Sequence, residues 1–195
     1  FVLPMDRPGI TVRKFMALHG EHFCNIFFDD VRIPASHLLG PLNGGWKILS
    51  NALASERIIM AAYASEVRDL LRRIIADLRA RGLAADPVTR DRMAGLAAEV
   101  QAARLLSLRA IRLSGGDYAP LVEAAMGKVY ASELSQRLTQ AAIEIYGATA
   151  TLGDEADDVP VSGAIERMLR YSIMMVVGGG TNEIQRNVIA GRALG

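Results

Sequence analysis

Apolar residues recur in steps of three and four along much of this chain, and the longest such series lies in its first half. Trp46, Leu49, Leu53, Met60, Tyr63, Val67, Leu70 and Ile74 mark one face of a long helix predicted from Trp46 to about Arg81. One position in the series is charged: Glu56 stands between Leu53 and Met60, where the stripe calls for an apolar residue. Burial disfavours the charged form of a carboxylate and raises its pKa, which suits a group that takes up a proton. A structural glutamate paired with an arginine of a neighbouring helix explains the same placement. On the residues alone both readings stay open.

Before this helix the pattern is short and β-like. Val2-Leu3, Ile10-Thr11-Val12 and Cys24 to Phe28 read as three strands, punctuated by Pro4, Pro8, Gly9 and Gly20. Three short strands make a poor domain by themselves. The chain also starts at Phe1 rather than a methionine, and the expectation is a fragment of a sheet whose other strands lie upstream.

After the long helix the chain stays helical. Gly82 stops the first helix, and Asp86-Pro87 opens a second with aspartate as cap and proline in the first turn. Met93, Leu96, Val100, Ala103 and Leu106 predict its inner face, and it ends near Ser114-Gly115-Gly116. Pro120 starts a third helix with the stripe Ala131, Leu134, Leu138, Ala141 and Ile145, leading to Gly147. Short connections make these three antiparallel neighbours in a bundle. A Gly-, Asp- and Pro-rich loop from Gly153 to Gly163 precedes a short helix from Ala164 to Val177. Then Gly178-Gly179-Gly180 breaks the chain, and a last helix runs from Thr181 to Leu194. Thr181 is its cap, and Glu183 sits in its first turn, where the helix dipole favours negative charge.

The whole chain has 195 residues, enough for one domain with part of a second. Its formal net charge is +1, with both signs scattered, so nothing points to nucleic acid. Arg68, Arg72, Arg73, Arg79 and Arg81 interleave with Asp69 and Asp77 on a solvated or subunit-facing side. Cys24 is the single cysteine, which excludes an internal disulfide and fits a reducing cytoplasm. His19, His22 and His37 have no ligand cluster at metal-site spacing and read as ordinary surface residues. No apolar run is long enough to cross a bilayer.

The glycine run before the last helix has two readings. It is a hinge, or it brings backbone close to a ligand at a helix N-terminus, where free N–H groups bind phosphate or polar cofactor groups.

Four segments together carry a resemblance that covers essentially the whole chain. Phe1-Val2-Leu3-Pro4-Met5-Asp6-x-Pro8-Gly9, Phe27-Phe28-Asp29-Asp30-Val31-Arg32-Ile33-Pro34, Asn43-Gly44-Gly45-Trp46 and Gly180-Thr181-Asn182-Glu183-Ile184-Gln185-Arg186 resemble the acyl-CoA dehydrogenase family, in that family's order. The resemblance implies a mainly α chain, a C-terminal four-helix bundle at residues 41–195 preceded by the end of an incomplete middle β-domain and its linker at residues 1–40. It also implies FAD as cofactor, an acyl-CoA substrate, an electron-transfer flavoprotein as partner, and a homo-oligomer (dimer or tetramer) or a heteromer with a related subunit.

In that family a glutamate removes the α-proton of the thioester while a hydride leaves the β-carbon for the flavin, giving a 2-enoyl-CoA. Many members carry the base just before the Gly-Thr that opens the last helix, where this chain has Gly179. A smaller group, similar to the isovaleryl and long-chain enzymes, carries it in a Glu-Arg pair on the first bundle helix, where Glu56-Arg57 stands. The resemblance therefore makes Glu56 the base and places Arg57 near the substrate. It also puts Gly180, Thr181 and Glu183 at the flavin, and Glu144 and Gly147 near the adenine end of a neighbouring subunit's FAD. Glu144 replaces a usual glutamine, and its carboxylate is expected to repel a pyrophosphate. The segment from Arg79 to Pro87 replaces the usual Arg-x-x-Phe-Gly, and Tyr171 replaces a common aspartate. Two alternatives remain: a non-catalytic partner subunit whose bundle serves assembly, and a monooxygenase-type relative that needs no base.

Overall fold

The computed structural model describes residues 1–61, 63–114 and 120–195, with backbone alone at 51, 54, 55 and 57–61. It divides into two compact units, Phe1–Leu53 and Ala54–Gly195.

In the first unit, β1 (Ile10–Met16) and β2 (His22–Phe28) pair antiparallel, from Ile10 opposite Phe28 to Met16 opposite His22. The expected strand at Val2-Leu3 does not form. Its Val2 N–H is bonded instead to the His37 carbonyl at 3.0 Å, and Pro4 next to it has no N–H to give a ladder. His19 is not a surface residue: it is buried, edge-on to Phe23 with ring centroids 5.3 Å apart. Four residues after it the strand β2 supplies that ring, so the turn between the strands folds back onto the ribbon.

Helix α1 (Gly45–Ala61) is followed by α2 (Tyr63–Ala80), with position 62 outside the described residues. The second half of the predicted stripe is buried, at Tyr63, Val67, Leu70 and Ile74. The first half is not. Trp46 is 78 % exposed and Leu49 50 %; the Met60 side chain lies outside the described residues. Two residues past the end of α2, Gly82 closes the turn with a φ of +75°, in the left-handed region that glycine adopts without strain.

Helix α3 (Pro87–Leu113) starts as predicted. The Asp86 carboxylate accepts the Thr89 N–H at 2.8 Å and the Thr89 hydroxyl at 2.7 Å. Met93, Leu96, Val100 and Ala103 face inward, but Leu106 is only half-buried and the inner row continues through Ser107 and Ala110. Of the predicted end at Ser114-Gly115-Gly116, both glycines lie outside the described residues.

Helix α4 (Leu121–Tyr146) is the hub, packed against α2, α3, α5 (Ala164–Met175) and α6 (Asn182–Ala193). Leu134 and Leu138 are fully buried, together with Val67 and Ile74 of α2, Val100 of α3 and Ile165 of α5. Small buried residues between them, Ala131, Ser132, Ser135 and Ala142, let helices approach on several sides of α4 at once. Burial of this apolar surface is the main force holding the bundle. The loop from 153 to 163 is tied to α2 by Arg73, which donates to the Val161 carbonyl at 2.8 Å, and by Arg81, which pairs with Asp77 and Asp158. Those arginines are therefore solvated but engaged. Among the described residues, no helix is long and apolar enough to cross a membrane.

Candidate functional site

The connection between α5 and α6 carries the glycine run, and its fold follows from local hydrogen bonding. Gly178 donates its N–H to the Met174 carbonyl at 2.7 Å, and Asn182 donates to Val176 at 3.0 Å. Gly179 and Gly180 then take φ of +67° and +89°, which a residue with a Cβ adopts only under strain. Thr181 caps α6, its hydroxyl oxygen accepting the Ile184 N–H at 3.3 Å. The Glu183 carboxylate accepts its own N–H and, next in weight, the Thr181 hydroxyl, which together hold it below the usual carboxylate range.

These bonds settle which donors are left for a ligand. The N–H groups of Asn182, Ile184 and Gln185 are engaged within the chain, and that of Glu183 faces its own carboxylate. Among the described residues, those of Gly179, Gly180 and Thr181 are not. Half-buried, with no side chain on either glycine, they fit the polar acceptor edge of a cofactor. The negative Glu183 beside them disfavours a phosphate at this spot.

Three side chains absent from the sequence-level candidates hold this connection. Lys128 of α4 is buried, and its ammonium donates to Asn182 Oδ1 at 2.7 Å and to the Val176 carbonyl at 3.1 Å. Burial pushes its pKa down to about 8, against the raising effect of Glu183 and Glu133. Asn182 Nδ2 donates in turn to Ser132 Oγ at 3.1 Å and to Glu133 Oε1 at 3.2 Å, and Glu133 also accepts Arg186 at 2.5 Å. Gln185, fully buried, donates to the Gly179 carbonyl at 2.8 Å. A signal for Lys128 was present: positions 124, 125, 131 and 132 are small residues at helical spacing around it, so a lysine sits on a buried stripe.

Glu144 and Gly147 lie at the other end of α4. Glu144 lies twelve positions beyond Ser132, so the two groups stand about 18 Å apart along the helix axis and cannot grip the same part of one ligand. The expected repulsion by Glu144 is offset: Gln140 donates to its carboxylate at 3.0 Å, and Arg92 of α3 pairs with it at 2.5 Å. Both partners hold Glu144 below the usual range. Arg92, Glu144 and Ile145 line an open groove of about 450 Å³ with Leu83, Asp86 and Val88. A phosphate there would meet an arginine as well as a carboxylate.

Glu56 is exposed on α1. The burial expected from its place on the stripe is not found. The side chain of Arg57 lies outside the described residues. Tyr171 packs at 5.9 Å from Tyr63, whose hydroxyl donates to Met168 Sδ at 3.0 Å. That position is part of the core between α2 and α5. Among the described residues, no group of three or more His, Cys, Asp and Glu side chains could hold a metal ion.

Residues 43–194 match the family model described as acyl-CoA dehydrogenase, C-terminal domain. The probable acyl-CoA dehydrogenase YngJ of Bacillus subtilis is 32 % identical over 202 residues, which cover 99 % of this chain and 51 % of that protein. Among solved structures, the Tcur3481-Tcur3483 steroid ACAD matches with a TM-score of 0.92 and 28 % identity, over 98 % of this chain and 50 % of that one. The ChsE4-ChsE5 complex from Mycobacterium tuberculosis matches with a TM-score of 0.84 and 25 % identity, over 98 % of this chain and 51 % of that one. The chain thus spans about half the length of the curated relatives it matches. By this match over most of its length, the chain belongs to the acyl-CoA dehydrogenase family, whose C-terminal domain it carries.

Proposed function

We propose that the chain is the C-terminal portion of a flavin-dependent acyl-CoA dehydrogenase, with residues 1–40 closing a middle β-domain and residues 41–195 forming the bundle domain. The complete enzyme oxidises an acyl-CoA thioester to the 2-enoyl-CoA. FAD, when bound, supplies the acceptor for the hydride that leaves the β-carbon.

Glu56 takes the α-proton in this reading. The observation that carries it is the pair of positions Glu56 and Gly179: the residue before Gly180-Thr181 has no side chain to accept a proton, while α1 presents a carboxylate to solvent. A carboxylate removes an α-proton only where hydrogen bonds polarise the thioester carbonyl and water is excluded. Covering Glu56 is therefore a task for surfaces beyond those that pack against it here. Arg57 is assigned to the substrate side, next to the base.

Toward FAD, the free N–H groups at Gly179, Gly180 and Thr181 support a contact at the α6 entrance, beside Glu183. Glu144 and Gly147, with Arg92, support a second contact at the far end of α4. Their separation suits either two ends of an extended dinucleotide or two different FAD molecules.

Exposed Leu105, Leu108 and Ile111 on α3 support assembly into a homo-oligomer or a heteromer; the ChsE4-ChsE5 relative is itself a complex of two named proteins. Electrons leave to an electron-transfer flavoprotein, and the enzyme works in the cytoplasm. The test is anaerobic bleaching of the flavin of the complete enzyme with a panel of acyl-CoA thioesters, wild type against Glu56→Gln. Bleaching by wild type alone, with flavin retained by the variant, supports Glu56 as base. Equal bleaching places the base elsewhere, and a wild type that holds no flavin favours a partner subunit.

A further inference from the structure

Lys128 has no part in the chemistry assigned above, yet it is 1 % exposed at the junction of α4 and α6. An ammonium is kept from water only where fixed acceptors replace its hydration. Here the acceptors are the Val176 carbonyl, directly after the last residue of α5, and Asn182 Oδ1, on the first residue of α6. One group therefore ties both ends of the five-residue connection 177–181. Asn182 is held on its other side by Ser132 and Glu133, so it cannot follow the connection if that moves.

We infer that Lys128 is a positioning residue: by clipping Val176 to Asn182 it fixes the connection that presents Thr181 and the free N–H groups of Gly179 and Gly180. Its use in holding a cofactor rests on the flavoprotein reading above. Packing alone does not call for a lysine, because an apolar side chain of similar length fills the same space without the cost of desolvating a charge. The charged groups that face it are Glu133 on α4 and Glu183 on α6, with Arg186 reaching it through Glu133.

The test is amide hydrogen exchange, by NMR, on the 195-residue chain and its Lys128→Met variant. The amides of Gly178, bonded back to Met174 at the end of α5, and of Asn182, bonded across the connection to Val176, are expected to lose protection by about ten-fold or more, since a charge-assisted bond is removed. Core amides of α3, such as that of Ala103, keep theirs. Unchanged protection at Asn182 overturns the inference, and so does an equal loss at every amide, which is the mark of a purely structural residue. Should Lys128→Met not fold, Asn182→Ala cuts the clip at its other end. In that variant the ¹⁵N signal of the Lys128 ammonium, visible at neutral pH only when held from water, is expected to vanish, and its persistence overturns the inference equally. None of these measurements involves flavin, so an enzyme that fails to bind FAD counts against the flavoprotein reading alone.

Discussion

Arg92 of α3 and Glu144 of α4 meet at 2.5 Å across a groove that opens beside the end of α4. The Glu144 carboxyl is held below its ordinary 4.5 first by the bond from Gln140 and then by Arg92. Arg92→Ala therefore moves the Glu144 titration upward, but only part of the way, because the larger cause stays in place. A carboxyl ¹³C titration reads this directly. A full return to the ordinary value means that the Gln140 bond does not form in solution; no movement means that the ion pair does not. The sign for stability follows: an acid with a lowered folded pKa stabilises above its unfolded value and loses that as pH falls through the folded one. Arg92→Ala thus weakens the acid limb of the stability profile slightly, as expected for an exposed pair.

The buried ammonium gives the opposite slope. Lys128 is held at about 8, below its ordinary 10.5. Between those values the unfolded chain binds a proton that the folded chain does not, so stability contributed by this site rises with pH. Wild type minus Lys128→Met, followed as the urea midpoint at pH 7 and pH 10, is expected to shift in favour of wild type at the higher pH. A flat difference means that the lysine stays charged throughout, with Glu133 and Glu183 outweighing its burial.

Much of the bundle was legible because its signals are local. The Asp86 cap, the glycine at 82 and the stripe of Leu134 and Leu138 each act within one or two turns of helix. Lys128 and Glu56 show where that logic ends. Both are charged residues on apolar stripes, yet in the structure Lys128 is buried and Glu56 is exposed. Periodicity says that residues share a face, but whether that face is covered depends on what packs against it. Around Lys128 the cover is α6, brought back by a connection whose path no short-range pattern specifies. The partners of Lys128, at 176 and 182, lie about fifty residues away, and Arg92 finds Glu144 at a similar remove.

Core position should decide the cost of losing a leucine. Leu138 of α4 is fully buried, while Leu105 of α3 is 61 % exposed. Leu138→Ala removes buried methyl groups and leaves a cavity, a loss of about 2–5 kcal/mol. Leu105→Ala is expected to change stability by no more than about 0.5 kcal/mol in the monomer. Urea unfolding at low protein concentration compares them. If Leu105→Ala also costs several kcal/mol, and the cost grows with protein concentration, the exposed α3 face is a subunit contact already formed by this chain.

Gly180 offers a test of the connection that separates two causes of strain. A Cβ placed on it would lie 2.6 Å from Gln185 Nε2, and its φ of +89° disfavours any side chain whatever the space. The first obstacle is the tip of a flexible side chain and can move away; the second belongs to the backbone and cannot. Gly180→Ala is therefore expected to destabilise by more than about 1 kcal/mol, and adding Gln185→Ala cannot restore wild-type stability. The glutamine also donates to the Gly179 carbonyl at 2.8 Å, so the double variant gives up that bond as well as the clash. A double-mutant cycle by urea unfolding measures the coupling between the two positions. Coupling near zero means that the glutamine never blocks position 180, and the backbone conformation alone demands glycine. Strong coupling, with Gly180→Ala costing little once Gln185 is truncated, means that the connection can relax its φ, and that Thr181 is held by the clip at Lys128 rather than by the glycines themselves.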